Sequence, residues 1–289
     1  MNEIFAAIDF FLVNKLAFLI LILAMLLDTG LSLTVQQLWE PLRNLRLVVL
    51  SLVANFILVP LFVYGLLYVA PLSESVRTGF TIMAVAAGPP VLPKLAQLIN
   101  GSIAFSAGLM MLLMGCTAIY MPIALPIALN GVQVDSWQIA KPLLLLMLIP
   151  LAIGLSIKAR YEAIATTLQP LMRQISGRAL IVSLATSLLL QFDSLVNLIR
   201  TGAIVAIAGF IVVSFGVGYL LGGPDMDTRR TLAVGTAQRN IAAALLVAGS
   251  NFNDPAIVSV IVVTSLSMFV VIRMIAKQSV VKIEQVEAS

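Results

Sequence analysis

Nine apolar stretches, at about residues 11–33, 45–69, 76–98, 103–129, 138–157, 171–191, 197–221, 229–250 and 255–275, account for most of the chain. Each is near the roughly 20 residues of helix needed to cross a hydrocarbon core about 30 Å thick. Runs such as Leu143 to Leu155 are apolar on every face, which excludes the in–out alternation of a transmembrane barrel strand. Charged residues make up 10% of the sequence, against about 25% in a soluble domain. The chain therefore reads as an all-α polytopic membrane protein of about nine transmembrane helices, 1–289 forming a single membrane unit.

The basic residues set the orientation. With the carboxyl terminus in the cytoplasm, the loops on that side carry Arg43, Arg46, Lys158, Arg160, Arg173, Arg178, Arg229, Arg230, Arg273, Lys277 and Lys282, eleven in all, and the opposite side carries Lys15, Arg77, Lys141 and Arg200. Positive charge is retained on the cytoplasmic side, so the expected amino terminus lies outside and the expected membrane is a bacterial inner membrane. In a membrane chain the net charge of +4 belongs beside lipid headgroups and gives no reason to expect nucleic acid. Glu3 and Asp9 precede the first apolar run without a basic leader, so a cleaved signal peptide is not expected. The single cysteine, Cys116, stands in an apolar run and reads as packing. No cofactor, metal or catalytic residue is expected: histidine is absent, and no nucleophile–base pair supports an enzyme.

Two of the apolar stretches are interrupted. In the third, Gly88-Pro89-Pro90-Val91-Leu92-Pro93-Lys94 removes amide donors and frees carbonyls, which breaks a helix. In the eighth, a polar group centred on Gln238-Arg239-Asn240 lies mid-segment, with Gly235 as the expected weak point. Irregular backbone at membrane depth is tolerated only against protein or a watery cavity. The two interruptions occupy matching places if residues 11–129 form a first repeat of four helices, 138–157 a connecting helix, 171–275 a second repeat, and 276–289 a short cytoplasmic tail. An offset of five spans inverts the second repeat, giving an inverted-repeat transporter with two crossed discontinuous helices and a site between them.

Lys94 and Arg239 lie inside these segments, where a cation costs at least about 2.5–3.5 kcal/mol unless it meets a cavity, a carboxylate or an anion. Each either snorkels to an interface or belongs to an anion site, Arg239 gripping a carboxylate through two parallel hydrogen bonds and Lys94 acting as a point charge. Gln238 and Asn240 add amide contacts or serve the break. Asp28 is interfacial, or pairs with a cavity cation, or carries a coupling proton. Asn55 and Ser106 are further candidates for substrate contact, or bond only to neighbouring helices.

Several patches resemble the bile acid:sodium symporter family in its broad, largely prokaryotic sense. They are Met25-Leu26-Leu27-Asp28-Thr29-Gly30-Leu31-Ser32-Leu33-Thr34, Val53-Ala54-Asn55-Phe56-Ile57-Leu58-Val59-Pro60, Asn100-Gly101-Ser102-Ile103-Ala104-Phe105-Ser106, and Arg230-Thr231-Leu232 through Asn240-Ile241-Ala242-Ala243-Ala244-Leu245. The resemblance implies ten helices in a core and a panel domain, with the first family helix missing here. It also implies degenerate sodium sites. Asn55 stands where an amide is expected and Ser106 is retained, but Met110 replaces a hydroxyl residue and Leu92-Pro93 replace serine and asparagine. Gly235 stands in place of the key glutamate, Arg239 in place of a glutamine, and Asn240 matches a conserved asparagine. The expectation is a secondary transporter of a small organic anion by alternating access, in which fixed charge replaces one or both sodium ions, with proton coupling or none. The alternatives are a conventional sodium-coupled organic anion symporter and, less favoured, an anion channel.

Overall fold

A computed structural model describes residues 2–39, 43–129, 135–190, 196, 202–252 and 254–287. Those residues form an all-α membrane protein. Its helices are α1 (Asn2–Ser32), the short α2 (Val35–Trp39), α3 (Leu45–Val69), α4 (Glu74–Val85), α5 (Leu92–Leu98), α6 (Ile103–Ala128), α7 (Ser136–Arg160), α8 (Glu162–Leu190), α9 (Ala203–Leu221), α10 (Met226–Ala237), α11 (Ile241–Asn251) and α12 (Pro255–Glu287). Seven segments among the described residues are long and apolar enough to cross a membrane, against the nine expected. The difference has a physical cause. The third stretch is split into α4 and α5 by its Gly-Pro-Pro run, leaving 12-residue and 7-residue pieces. The sixth lies within α8, whose polar and charged positions lower its hydropathy. Residues 197–201 of the expected seventh span, with Arg200, lie outside the described residues.

Two prolines shape the long helices. Pro60 and Pro150 each follow a single π-helical turn, Ala54–Leu58 in α3 and Leu143–Leu148 in α7. In α3, the Val59 amide reaches back five residues to the Ala54 carbonyl, so the Asn55 carbonyl loses its usual i+4 donor. Its i+5 position is Pro60, which has no N–H to give. A carbonyl facing the interior is thereby left for another partner. Tyr120 Oη donates to the next carbonyl, that of Phe56, at 2.9 Å.

The helices sort into two groups. α1 runs along α8 and α7, and at its crossing with α7 a Cβ on Gly30 would fall 2.5 Å from the Leu151 carbonyl oxygen and 2.9 Å from the Gly154 Cα. Only paired glycines permit that approach. The second group gathers α3, α4, α5, α6, α9, α10, α11 and α12 around a core that includes Phe80, Met83, Leu109, Leu113, Phe210 and Val260. Large apolar side chains such as Leu61, Ile119, Val205 and Leu220 stay exposed, as a lipid-facing surface requires. Gly30→Leu is expected to separate α1 from α7 and lower the melting temperature by roughly 5 °C or more, read by thermal denaturation in detergent.

Candidate functional site

The two interrupted segments meet. Between α4 and α5 the chain is non-helical over residues 86–91, a stretch that contains Gly88, Pro89 and Pro90. Pro93 instead starts α5, where its missing amide costs nothing. The second interruption falls at residues 238–240, three residues beyond Gly235. Gly235 stays inside α10, where an added Cβ would lie 3.0 Å from the Leu92 side chain. What ends α10 is the neighbouring backbone: the Asn240 amide donates to the Ala86 carbonyl at 2.8 Å, and the Asn240 Oδ1 caps α11 by accepting from the Ala243 amide at 3.0 Å. Thr117 on α6 secures the first break from behind. Its Oγ1 accepts from the Ala87 amide and donates to the Ala87 carbonyl, both at 3.0 Å. Thr117→Val keeps the shape and removes both bonds, so it is expected to cost about 2–4 kcal/mol in chemical denaturation, while Thr117→Ser costs less.

Arg239 is fully buried at this meeting point. Its Nε donates to the Met83 carbonyl at 3.0 Å, one terminal nitrogen to Asn55 Oδ1 at 2.9 Å and the Thr236 carbonyl at 3.3 Å, and the other to the Asn55 carbonyl at 3.4 Å and the Ala84 carbonyl. A guanidinium has five N–H donors, and these five acceptors match them. Asn55 is held in turn, its Nδ2 donating to the Ser51 carbonyl at 3.0 Å and Thr236 Oγ1 at 3.2 Å. The carbonyls of Met83 and Ala84 belong to the last turn of α4, that of Thr236 to the last turn of α10, and that of Asn55 is the one freed by Pro60.

Lys94 lies elsewhere. Its side chain is 57% exposed and its Nζ is 3.4 Å from Asp28 Oδ2 on α1, a carboxylate only 6% exposed. The other Asp28 oxygen accepts from Gln169 Nε2 at 3.2 Å and lies 3.7 Å from Nε of Arg173 on α8, a side chain 55% exposed. Asp28, Lys94 and Arg173 line a half-open cleft of about 380 Å³, with Thr29, Ser32, Gln97 and Ser176. Its balance is two cations to one anion. A second, larger cleft of about 610 Å³ between α3, α4 and α6 is mostly apolar, with Tyr120 and Thr81 among its lining residues.

A family model described as the sodium bile acid symporter family matches residues 19–218. The chain belongs to that family. It is also similar to a curated plant protein, the "Probable sodium/metabolite cotransporter BASS3, chloroplastic" of Arabidopsis thaliana, at 22% identity over 253 residues. That match covers 84% of this chain and spans 59% of the relative's length. The family is one of transporters rather than enzymes, and among the described residues no group of His, Cys, Asp or Glu is arranged to hold a metal ion.

In this member of the sodium bile acid symporter family the remaining candidates divide between the two places. Asn55, Arg239 and Asn240 share the buried meeting point, whereas Lys94 and Asp28 share the cleft. Gln238 is buried beside Arg239 in sequence, and its Oε1 has no protein hydrogen-bond partner. Ser106 is buried on α6, where its hydroxyl donates to the Ile103 carbonyl at 2.6 Å, and Met110 is buried one turn further on. Sequence reasoning missed Thr117, Thr236, Arg173 and Gln169. Thr117 carried a faint signal as a hydroxyl within an apolar run. Arg173 carried none, because it read as an ordinary loop cation.

Proposed function

We propose that this protein is a secondary active transporter of a small organic anion, binding its cargo in the cleft of Lys94, Arg173 and Asp28. The single observation that carries this reading is the exposure of both cationic heads over one buried carboxylate. Asp28 neutralises one positive charge and leaves the other for a ligand. The exposed fork of Arg173 suits a planar carboxylate, with Lys94 as a neighbouring point charge. Amide and hydroxyl groups of Gln97, Ser32 and Ser176 surround them. The cleft lies between α1 and α8 on one side and α5 on the other, so movement of one helix group against the other would open or close it. Alternating access of this kind fits an inverted-repeat plan in which α4–α5 and α10–α11 are the crossed elements and α8 completes nine spans, with repeats at 11–129 and 171–275 and 138–157 between them. On the positive-inside orientation the amino terminus is external and the cleft opens towards the cytoplasm of a bacterial inner membrane.

Sodium-coupled symport is the reading that the family description and the plant relative's name favour, ahead of proton-coupled or uncoupled transport. The uncommitted Gln238 oxygen adds an acceptor of the kind a sodium ion uses. The test is uptake by the purified protein in vesicles, screened against small carboxylates and larger amphipathic anions under separate sodium and proton gradients. Saturable uptake raised tenfold or more by an inward sodium gradient is expected. Stimulation by protons alone would move the coupling ion, and unitary currents would replace the transporter with a channel. Lys94→Gln and Arg173→Gln are each expected to raise the apparent KM about tenfold, the loss of one charge-assisted contact. Unchanged KM in both would remove the cleft as the cargo site.

A further inference from the structure

The ends of α4 and α10 present an electrostatic problem that Arg239 solves. Each helix carboxyl terminus carries roughly half a negative elementary charge, and both are buried at the same point. Three carbonyls from those two last turns, the Asn55 carbonyl freed by Pro60 and the Asn55 Oδ1 all face inward. Five oxygens around one buried point, backed by two helix carboxyl ends, make a cation site of the kind built from unwound carbonyls in membrane transporters. The occupant here is part of the chain. We propose that the Arg239 guanidinium is a tethered cation, filling permanently the place that a small monovalent cation would otherwise take, so that this junction closes without a bound ion.

The geometry distinguishes this role from the two obvious ones. An arginine serving an anion would keep a face of its fork open, as Arg173 does, whereas all five Arg239 donors are consumed by the protein and the side chain is inaccessible. An arginine retained for packing alone would need no carbonyl convergence, and none of its five hydrogen-bond acceptors is a carboxylate that would explain its charge. The sum of two half charges matches the single positive charge of the guanidinium. A consequence concerns coupling: any sodium that drives the cycle binds outside this oxygen cage, and the stoichiometry is smaller than it would be with the cage open to ions.

The inference goes beyond the transport reading and is tested without it. Purified Arg239→Ala is melted in detergent with choline, sodium, potassium or guanidinium chloride at fixed ionic strength, beside the parent protein. Truncation empties a cage that still attracts positive charge. In choline the variant is expected to melt well below the parent, and one of the three small cations is expected to restore about 3 °C or more beyond any gain in the parent. Equal melting of the variant in all four salts would overturn the proposal, as would parent-like stability in choline. Should Arg239→Ala yield no folded protein, Arg239→Lys and Arg239→Met decide the matter. Lysine keeps the charge and methionine only the bulk, so a lysine variant no better folded than the methionine variant overturns the proposal. A flat cation response would leave the transport reading standing, and a failure of uptake would leave the tethered cation standing.

Discussion

Gly88→Ala is expected to cost about 2–5 kcal/mol, a large share of the roughly 5–15 kcal/mol that holds an ordinary chain folded. Two penalties add. Gly88 sits at φ +75, a left-handed conformation that charges a side chain roughly 1–2 kcal/mol. The added Cβ would also lie 2.5 Å from the Met114 amide nitrogen and 2.9 Å from the Leu113 carbonyl carbon. Those are backbone atoms of α6, and α6 cannot retreat, because Thr117 on the same helix holds Ala87, the residue next to Gly88. Overpacking against a fixed neighbour costs about 1–3 kcal/mol. The control is Gly115→Ala in α6, where nothing lies within 4 Å of the new Cβ. Its stability is expected to stay within about 0.5 kcal/mol of the parent. Monodisperse yield and melting temperature in detergent separate the two, and a Gly88→Ala protein as stable as the control would show that the first interruption is not held by this contact.

Composition and apolar run length made the membrane class legible, because a chain so poor in charge has no soluble alternative. The first interruption was legible too: Gly88, Pro89 and Pro90 cannot continue a helix, whatever surrounds them. The second was displaced by three residues, since Gly235 looks weak in isolation but is kept helical by Leu92 and Leu109 packed against it. Its true end is set by the Asn240 cap and the hydrogen bond to Ala86, a contact between residues 154 positions apart. Lys94 and Arg239 attracted attention for the same reason, a cation in an apolar segment, yet the fold gives them opposite environments. Local pattern marks a costly charge but not what offsets it. For Lys94 the partner is Asp28 on the first helix, and for Arg239 it is a set of carbonyls that no residue type advertises. The third stretch drops from the long apolar helices for a related reason, as hydropathy does not register its break, whereas the sixth drops through its own polar positions.

Asn55→Leu is the other change expected to have a large effect, about 3–5 kcal/mol, the usual cost of stripping a partner from a buried charge. Leucine keeps the branching and the number of side-chain heavy atoms of asparagine, so it is the apolar residue nearest to it in shape. What disappears is the Oδ1 that accepts from Arg239 at 2.9 Å and the Nδ2 that ties α3 to Thr236 on α10. One guanidinium donor is then left buried and unpaired. The backbone carbonyl of residue 55 survives the substitution, so the loss belongs to the side chain alone. A cycle with Arg239→Met isolates the pair. With the guanidinium already gone, Asn55→Leu removes only its bonds to Ser51 and Thr236, and its cost is expected to fall by about 1–3 kcal/mol. Equal costs in the two backgrounds, measured by denaturant or thermal unfolding in the same detergent, would mean that Asn55 joins helices without serving Arg239. A positive coupling would instead identify the side chain as part of the oxygen set that holds the buried cation. That set is complete only because the Val59 amide reaches back to Ala54 and Pro60 has no N–H to offer, which together leave the backbone oxygen of the same asparagine free.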